Sequence, residues 1–208
     1  MYTLYYVPSA CSLATQVVLH ELKQPVEIIN KRSVANFKAI NPVDTVPVLI
    51  DAKGKERRTY TEGAAVMLHL LETHPNALFP TEGTARAQAI RDIMFANATM
   101  HPAYSKLFFI AGTTLDEASK HRAYSAAAES INHLWQVVES RLAHTPFLGG
   151  QQVSAADIML SVYSRWGDSF PVNIHIGQKA QNMIDQIIAR PSFKLALENE
   201  AAQERAHA

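Results

Sequence analysis

Residues 2–14 read Tyr2-Thr3-Leu4-Tyr5-Tyr6-Val7-Pro8-Ser9-Ala10-Cys11-Ser12-Leu13-Ala14. The first six favour a β-strand, Pro8 and Ser9 interrupt it, and apolar residues then recur at helical spacing as far as Leu22. The only cysteine, Cys11, is therefore expected between a strand and a helix. Backbone N–H groups are unpaired there and the helix dipole is positive, which favours the thiolate form of cysteine. The stretch predicts a site that handles thiols, in a domain that begins with a strand and a helix.

A second interpretation of Cys11 stays open, because free cysteine is also among the most buried residue types and is then inert. Leu13 and Ala14 follow Cys11 and Ser12, so the chain has no C-x-x-C motif. A disulfide made by this thiol must therefore join it to another molecule.

Composition excludes several classes of function. The 19 basic and 19 acidic residues balance, so the chain carries no basic footprint for nucleic acid. No run approaches the ~18 apolar residues that span a membrane, and no secretory signal opens the sequence. A single cysteine is typical of the cytoplasm. The histidines show no spacing typical of metal ligands. We predict a cytoplasmic protein without metal, nucleic-acid partner or membrane association.

Strands and helices alternate over residues 1–76, which indicates an α/β domain. Short strands are expected near residues 26–29, 46–50 and 58–61, and the last two fit an antiparallel hairpin whose turn is formed by residues 51–55. Two prolines and a glycine mark residues 74–83 as a linker.

Only helices are predicted over residues 84–208, so the second domain is all-helical. Helices are expected from Thr84, with a break at Pro102, and from Thr114 with a capping box. Further helices should start at Ser154, near Gln178 and at Pro191, and residues 200–208 should fray.

Five motifs follow one another along the chain: Tyr6-Val7-Pro8-Ser9-Ala10-Cys11-Ser12-Leu13-Ala14, Val46-Pro47-Val48-Leu49, Thr61-Glu62-Gly63-Ala64-Ala65-Val66, Met100-His101-Pro102-Ala103-Tyr104-Ser105-Lys106-Leu107-Phe108 and Ser154-Ala155-Ala156-Asp157. In this order they resemble the glutathione transferase family, and the first and fourth resemble its bacterial beta class. The resemblance implies an N-terminal thioredoxin-like α/β domain, residues 1–76, and an all-α C-terminal domain, residues 84–208.

The resemblance also implies where glutathione is bound. A cis bond between Val46 and Pro47 would present the backbone of Val46 to an extended ligand. Glu62 and Gly63 would hold the γ-glutamyl end at a helix start, where an anion is attracted and Glu62 can accept a bond from an ammonium group. Tyr6 and Ser12 are also expected in the glutathione site, as the next candidates to activate the thiol should Cys11 be inert.

Catalysis is assigned by resemblance to Cys11 and His101. Cys11 would form a mixed disulfide with glutathione or position its thiolate, and His101 would donate a hydrogen bond to sulfur or stabilise a thiolate. The implied protein is a homodimeric detoxification enzyme that joins glutathione to small apolar electrophiles, or transfers thiols through Cys11. A glutathione-dependent dehalogenase or isomerase would need the same co-substrate. The alternative from another class is a binding protein of the same shape with little or no activity.

The chain departs from the family pattern at three positions and in the short stretch between Asn30 and Asn41. Gly63 stands where many members have serine, and Pro102 follows His101 where beta-class members often have lysine. Asp44 stands two residues before Val46, where many relatives have lysine, glycine or glutamine. Lys31 or Lys38 is the available cation for the glycine carboxylate of glutathione.

Overall fold

The computed structural model describes residues 1–52 and 56–207. The strands are β1 Tyr2–Tyr6, β2 Val26–Asn30, β3 Val48–Asp51 and β4 Arg58–Tyr60. The helices are α1 Ser12–Glu21, α2 Gly63–Thr73, α3 Gly83–Phe95, α4 His101–Ala111, α5 Glu117–Arg141, α6 Ala155–Tyr163, α7 Gln178–Ile188 and α8 Pro191–His207. This is the predicted fold class: an α/β region of thioredoxin-like order, followed by helices.

The four strands form one mixed sheet in the order β2-β1-β3-β4. β1 runs parallel to β2 and antiparallel to β3, and β3 runs antiparallel to β4. The predicted hairpin of the last two strands is therefore confirmed, while residues 53–55 of its turn lie outside the described residues. α1 follows β1 directly, and its side chains Leu13, Val17 and Val18 are fully buried.

The predicted break at Pro102 takes the form of a turn of π-helix. Ala96–Met100 adopts this wider turn between α3 and α4, and Pro102 lies in the first turn of α4. Proline has no N–H and its ring crowds the preceding turn, so the ordinary helical ladder cannot continue through it. π-turns of this kind are frequent at functional sites.

Two helix starts were predicted from capping residues, with different outcomes. The Ser154 start is confirmed: the Asp157 carboxylate accepts hydrogen bonds from Ser154 N at 2.8 Å and from Leu148 N at 2.9 Å. The start at Thr114 is wrong. α5 begins at Glu117, and Asp116 caps it by accepting from Ser119 N at 2.9 Å. Asp116 is better placed because its carboxylate accepts from the free N–H groups of the first turn.

The described contacts divide the chain into two compact units. The first contains Met1–Thr81 and the stretch from Ile188 onward, and the second contains Glu82–Ile187. The sequence placed residues 84–208 in one domain, whereas α8 groups with the N-terminal unit. Polar contacts join this late stretch to α1: Arg190, just before α8, donates to both oxygens of Glu21, each at 2.7 Å.

The expected fraying of residues 200–208 is also corrected, because α8 is helical as far as His207. Glu200 is only 4% exposed and is held by hydrogen bonds to the N-terminal part of the unit. Glu200 is the first residue of the stretch, and its buried, bonded side chain holds the start of the stretch in the fold.

Candidate functional site

One edge of the sheet, where β1, β2 and β4 end and β3 starts, brings the candidate residues together. Tyr6 pairs with Asn30, so the ends of β1 and β2 coincide. Tyr5 pairs with Val48 and Leu49 with Tyr60, so β3 starts and β4 ends at the same edge. The residues that flank these ends therefore lie along that edge in strand order: Lys31 after β2, Cys11 after β1, Val46 before β3 and Glu62 after β4. With strands about 4.8 Å apart, this edge matches the length of a short extended peptide.

Cys11 occupies the N-cap position of α1, as the sequence predicted. Its Sγ donates a hydrogen bond to the carbonyl oxygen of Val46 at 3.3 Å. The thiolate expectation is corrected. Burial raises the pKa of the Cys11 thiol to about 11, although the backbone N–H groups of Cys11 and Ser12 act in the opposite direction. Desolvation outweighs the helix start here, so Cys11 is a neutral thiol near pH 7.

The bond between Val46 and Pro47 is cis, as the family pattern implied. The loop that leads into it is held by Asn41, which is 3% exposed. Asn41 Nδ2 donates to the carbonyl oxygen of Thr45 at 3.0 Å, and its Oδ1 accepts from Val43 N at 3.2 Å. Our sequence interpretation missed this residue. The Asn-Pro pair at positions 41 and 42 was the available signal, because asparagine side chains stabilise turns through their own backbone.

Glu62 precedes α2 with an unusual backbone conformation. Its φ is 67° and its ψ is 120°, a combination disfavoured for a residue with a Cβ. The side chain is exposed and makes no capping hydrogen bond to the helix. Gly63 follows as the first residue of α2. Strained backbone of this kind is concentrated at ligand sites, and here it leaves both the carboxylate and the helix start available.

Lys31 and Asp44 form an ion pair at the β2 end of the same edge. Lys31 Nζ lies 2.8 Å from Asp44 Oδ1, and it also donates to the carbonyl oxygen of Asp44. Lys38, the other candidate cation, is exposed in the described structure. Of the two lysines considered, Lys31 is the one held at the sheet edge, but its charge is already paired.

The structure places the side chains of Tyr6 and Ser12, two predicted glutathione contacts, fully buried in the first unit. Ser12 Oγ lies 3.4 Å from both the N and the O of Val7. Burial and the nearby carboxylates of Glu200 and Glu204 raise the pKa of Tyr6 to about 12. Their assignment to the glutathione site stays a prediction.

Glu200 on α8 is a second residue that sequence reasoning missed. Its carboxylate accepts from Ser9 N at 2.9 Å and from Gln16 Nε2 at 2.8 Å. Ser9 has a φ of 61° and lies two residues before Cys11. Glu200 thus holds the loop that carries the thiol. No local pattern could have shown this, since the residues it joins are separated by more than 180 positions.

His101 belongs to the second unit, whereas Cys11 belongs to the first. Its Nδ1 lies 3.3 Å from Ser105 Oγ, and its ring meets those of Tyr163 and Trp166 edge to face, with centroids 5.3 and 5.2 Å apart. Burial lowers the pKa of His101, so the imidazole is neutral near pH 7. A neutral imidazole can donate or accept a hydrogen bond, but it brings no positive charge to a thiolate.

Further aromatic side chains continue from His101 within the second unit. Phe108 is 50% exposed, and its ring lies 5.8 Å from that of Trp166 and 4.8 Å from that of Phe170. Tyr104, by contrast, is buried and accepts a hydrogen bond from Trp135 Nε1 at 2.9 Å. The half-exposed ring of Phe108 is therefore an apolar surface that a ligand can contact, and the rings of Trp166 and Phe170 pack against it.

Across residues 1–52 and 56–207, no group of three or more His, Cys, Asp or Glu side chains could hold a metal ion. No helix in that part of the chain has the length and apolar character needed to cross a membrane. Two surface hollows of about 500 and 650 Å³ in the first unit include none of Cys11, Val46 and Glu62 in their lining.

The chain is similar to several glutathione S-transferases, although no family model matches it. Glutathione S-transferase GST-4.5 of Xanthomonas campestris is 27% identical over 203 residues, which is 95% of this chain and 98% of that protein. A bacterial beta-class glutathione S-transferase of Sphingomonas chungbukensis has 26% identity and a TM-score of 0.81, with 95% of this chain and 98% of that chain covered. A sphingomonad glutathione S-transferase, solved in complex with glutathione, has 26% identity and a TM-score of 0.82, with 96% and 98% covered.

Proposed function

We propose that this chain, a member of the glutathione S-transferase family with the character of the bacterial beta class, binds glutathione along the sheet edge of its first unit and joins it to a small apolar electrophile. The observation that carries the proposal is the order of residues along that edge: Lys31, Cys11, Val46 and Glu62. A tripeptide with a carboxylate at each end and a thiol in the middle fits this order of groups.

The γ-glutamyl and cysteinyl parts of glutathione have partners in this arrangement. The γ-glutamyl end lies at the start of α2, where Glu62 accepts from the ammonium group and the N–H of Gly63 attracts the carboxylate. The cysteinyl backbone pairs with that of Val46 as an added strand. The glycine end then points towards β2 and Lys31. Gly63 supplies no hydroxyl, so the carboxylate depends on backbone N–H groups alone.

The state of Cys11 favours conjugation over thiol transfer. A neutral thiol is a weak nucleophile towards a disulfide but can donate a hydrogen bond. We infer that the Cys11 S–H turns from the carbonyl oxygen of Val46 to the sulfur of bound glutathione and stabilises it as a thiolate. That thiolate attacks the electrophile, a carbon–sulfur bond forms, the leaving group departs with its electron pair, and the thiol proton goes to solvent.

The apolar co-substrate is assigned to the aromatic side chains of the second unit. Phe108 and Trp166 supply apolar surface for an electrophile. His101, neutral and edge-on to Trp166, supplies a polar group that can donate to the electrophile or to a leaving group. Its catalytic role is thus proposed as hydrogen bonding, without a charge on the imidazole.

Calorimetric titration with reduced glutathione tests the proposal. The wild-type protein should bind it saturably, and Glu62→Ala should weaken binding by about tenfold or more, because a charge-assisted hydrogen bond is lost. Glu82→Ala is the matched control: Glu82 is also an exposed N-cap glutamate without a capping hydrogen bond, at the start of α3. Binding that is absent, or equally weakened by both changes, would contradict the proposed site.

A family-shaped binding protein without transferase activity is the second candidate, favoured by Asp44, Gly63 and Pro102. Saturable glutathione binding with no turnover of chlorodinitrobenzene, alkyl halides or maleylated acids would support it over the enzyme. Turnover of the halides or acids alone would instead indicate a dehalogenase or an isomerase.

We further propose a cytoplasmic homodimer that acts in detoxification. Light scattering of the purified protein tests the dimer.

A further inference from the structure

We propose that Asp44 determines which thiol co-substrate the protein prefers, by neutralising Lys31 at the glycine end of the site. The preferred ligand is then a γ-glutamylcysteinyl thiol that carries an uncharged or cationic group where glutathione carries its glycine carboxylate. This inference rests on the proposed function, because it assumes that the peptide thiol lies along the sheet edge.

The position of the pair follows from the strand order. Lys31 comes directly after β2, the strand on the far side of β1 from β3 and β4. A ligand held at Glu62 after β4 and at Val46 before β3 therefore extends its third residue towards Lys31. Asp44 reaches the same place, because it lies only two residues before Val46.

The ammonium group of Lys31 is already satisfied. It contacts the Asp44 carboxylate at 2.8 Å and the Asp44 carbonyl oxygen, and it lies 5.2 Å from the centre of the Phe37 ring. A ligand carboxylate that approaches Lys31 meets an ion pair with no net charge, and it comes close to the Asp44 carboxylate. The two negative charges repel, and the attraction that a lone lysine would exert is lost.

The backbone of Asp44 is held in place beside Lys31. Its φ is 64°, and its backbone N donates to the carbonyl oxygen of Asn41 at 2.9 Å. The Asn41 side chain also bonds to Val43 and Thr45, the two neighbours of Asp44. A loop held in this way keeps the Cα of Asp44 within reach of Lys31, and the two side chains form the ion pair at the binding edge.

The first arm of the test uses the wild-type protein. Calorimetry compares reduced glutathione with glutathione amidated at its glycine carboxylate. The amide should bind roughly two- to fivefold more tightly, the size expected for one partly exposed charge contact. The preference should shrink in concentrated salt, since screening acts on exposed charges.

The second arm changes the pair. Asp44→Asn should tighten glutathione roughly two- to fivefold and leave the amide unchanged, because it frees Lys31 for the glycine carboxylate. Asparagine tolerates the positive φ, so the loop keeps its shape. Adding Lys31→Gln to this variant should remove the gain. Asp185→Asn, an exposed acid of α7, is the control for net charge and should change neither affinity.

A wild-type preference for glutathione over its amide would overturn the inference, as would equal effects of Asp44→Asn on both thiols. If neither thiol binds the wild-type protein, the proposed function itself fails. Since both thiols share the γ-glutamyl and cysteinyl parts, the two failures can be told apart.

Discussion

The thiol of Cys11 donates a hydrogen bond to the carbonyl oxygen of Val46, with 3.3 Å between sulfur and oxygen. This contact joins the residue before α1 to the residue before the cis-proline. Burial, which raises the pKa of the Cys11 thiol, keeps it protonated near pH 7 at the middle of this sheet edge. The mechanism that we propose therefore uses Cys11 as a hydrogen-bond donor, where the sequence alone suggested a nucleophile.

Alkylation of native Cys11 should be slow at neutral pH and should accelerate towards a midpoint near 11. Because the pKa is raised, the thiolate fraction near pH 7.5 is on the order of 100-fold below that of an ordinary cysteine. Mass spectrometry after timed exposure to iodoacetamide measures the rate, with urea-unfolded protein as the control. A native midpoint below that of the unfolded chain would restore the thiolate interpretation, and with it thiol transfer.

Removing the Glu200 carboxylate should destabilise the first unit and disturb the thiol loop. Glu200→Ala leaves Ser9 N and Gln16 Nε2 without their acceptor, at an expected cost of about 2–3 kcal/mol in the free energy of unfolding. Urea titration measures this loss. Glu198→Ala, an exposed neighbour on α8, should cost little. Equal stability of the two variants would show that the carboxylate does not hold the loop.

The pair of Glu21 and Arg190 predicts a loss of stability in acid. Hydrogen bonds from Arg190 hold the pKa of Glu21 below its usual 4.5 despite its partial burial, and Ser192 adds a further bond. A lowered carboxyl pKa stabilises the fold above the unfolded pKa, and this contribution disappears as pH falls through the folded value.

Glu21→Gln should therefore reduce stability near pH 6, and the gap to wild type should narrow below about pH 4.5. Thermal melts across this range provide the measurement. Glu129→Gln, an exposed glutamate of α5, should show no such pH-dependent gap. A gap at pH 6 that persisted unchanged at pH 3 would exclude the ionised pair as its cause.

Phe108 and Phe109 offer a matched test of the apolar co-substrate. Phe108 contacts the rings of Trp166 and Phe170, whereas Phe109 is 75% exposed. Phe108→Ala should lower kcat/KM for an aromatic electrophile by roughly tenfold, the usual size of an aromatic contact, with the KM for glutathione unchanged. Phe109→Ala should have little effect. Similar losses in both variants would point to a general effect on α4.

The sequence predicted features that depend on neighbouring residues. The opening strand and helix, the hairpin, the capping box at Ser154 and the break at Pro102 all follow from local pattern and backbone chemistry. The cis bond before Pro47 came from family resemblance, because composition alone favours a trans bond. The resemblance to the glutathione transferase family rests on the order of the motifs.

Features that depend on distant residues were missed or misjudged. The raised pKa of Cys11 reflects burial, which its position at a helix start does not reveal. The ion pair of Lys31 and Asp44 joins two loops whose proximity follows only from the sheet order. Glu200 lies in a polar stretch that resembles a fraying end, and its role appears only when α8 is packed beside α1.

The packing of α8 has a consequence for how the protein is made. The first unit combines residues from early and late in the chain, and during synthesis the late ones leave the ribosome last. Until Glu200 emerges, Ser9 N and Gln16 Nε2 lack the acceptor that holds the thiol loop, so nascent chains carry an unfinished binding edge. Translation of the second unit is therefore complete before Glu200 can form these hydrogen bonds and hold the thiol loop.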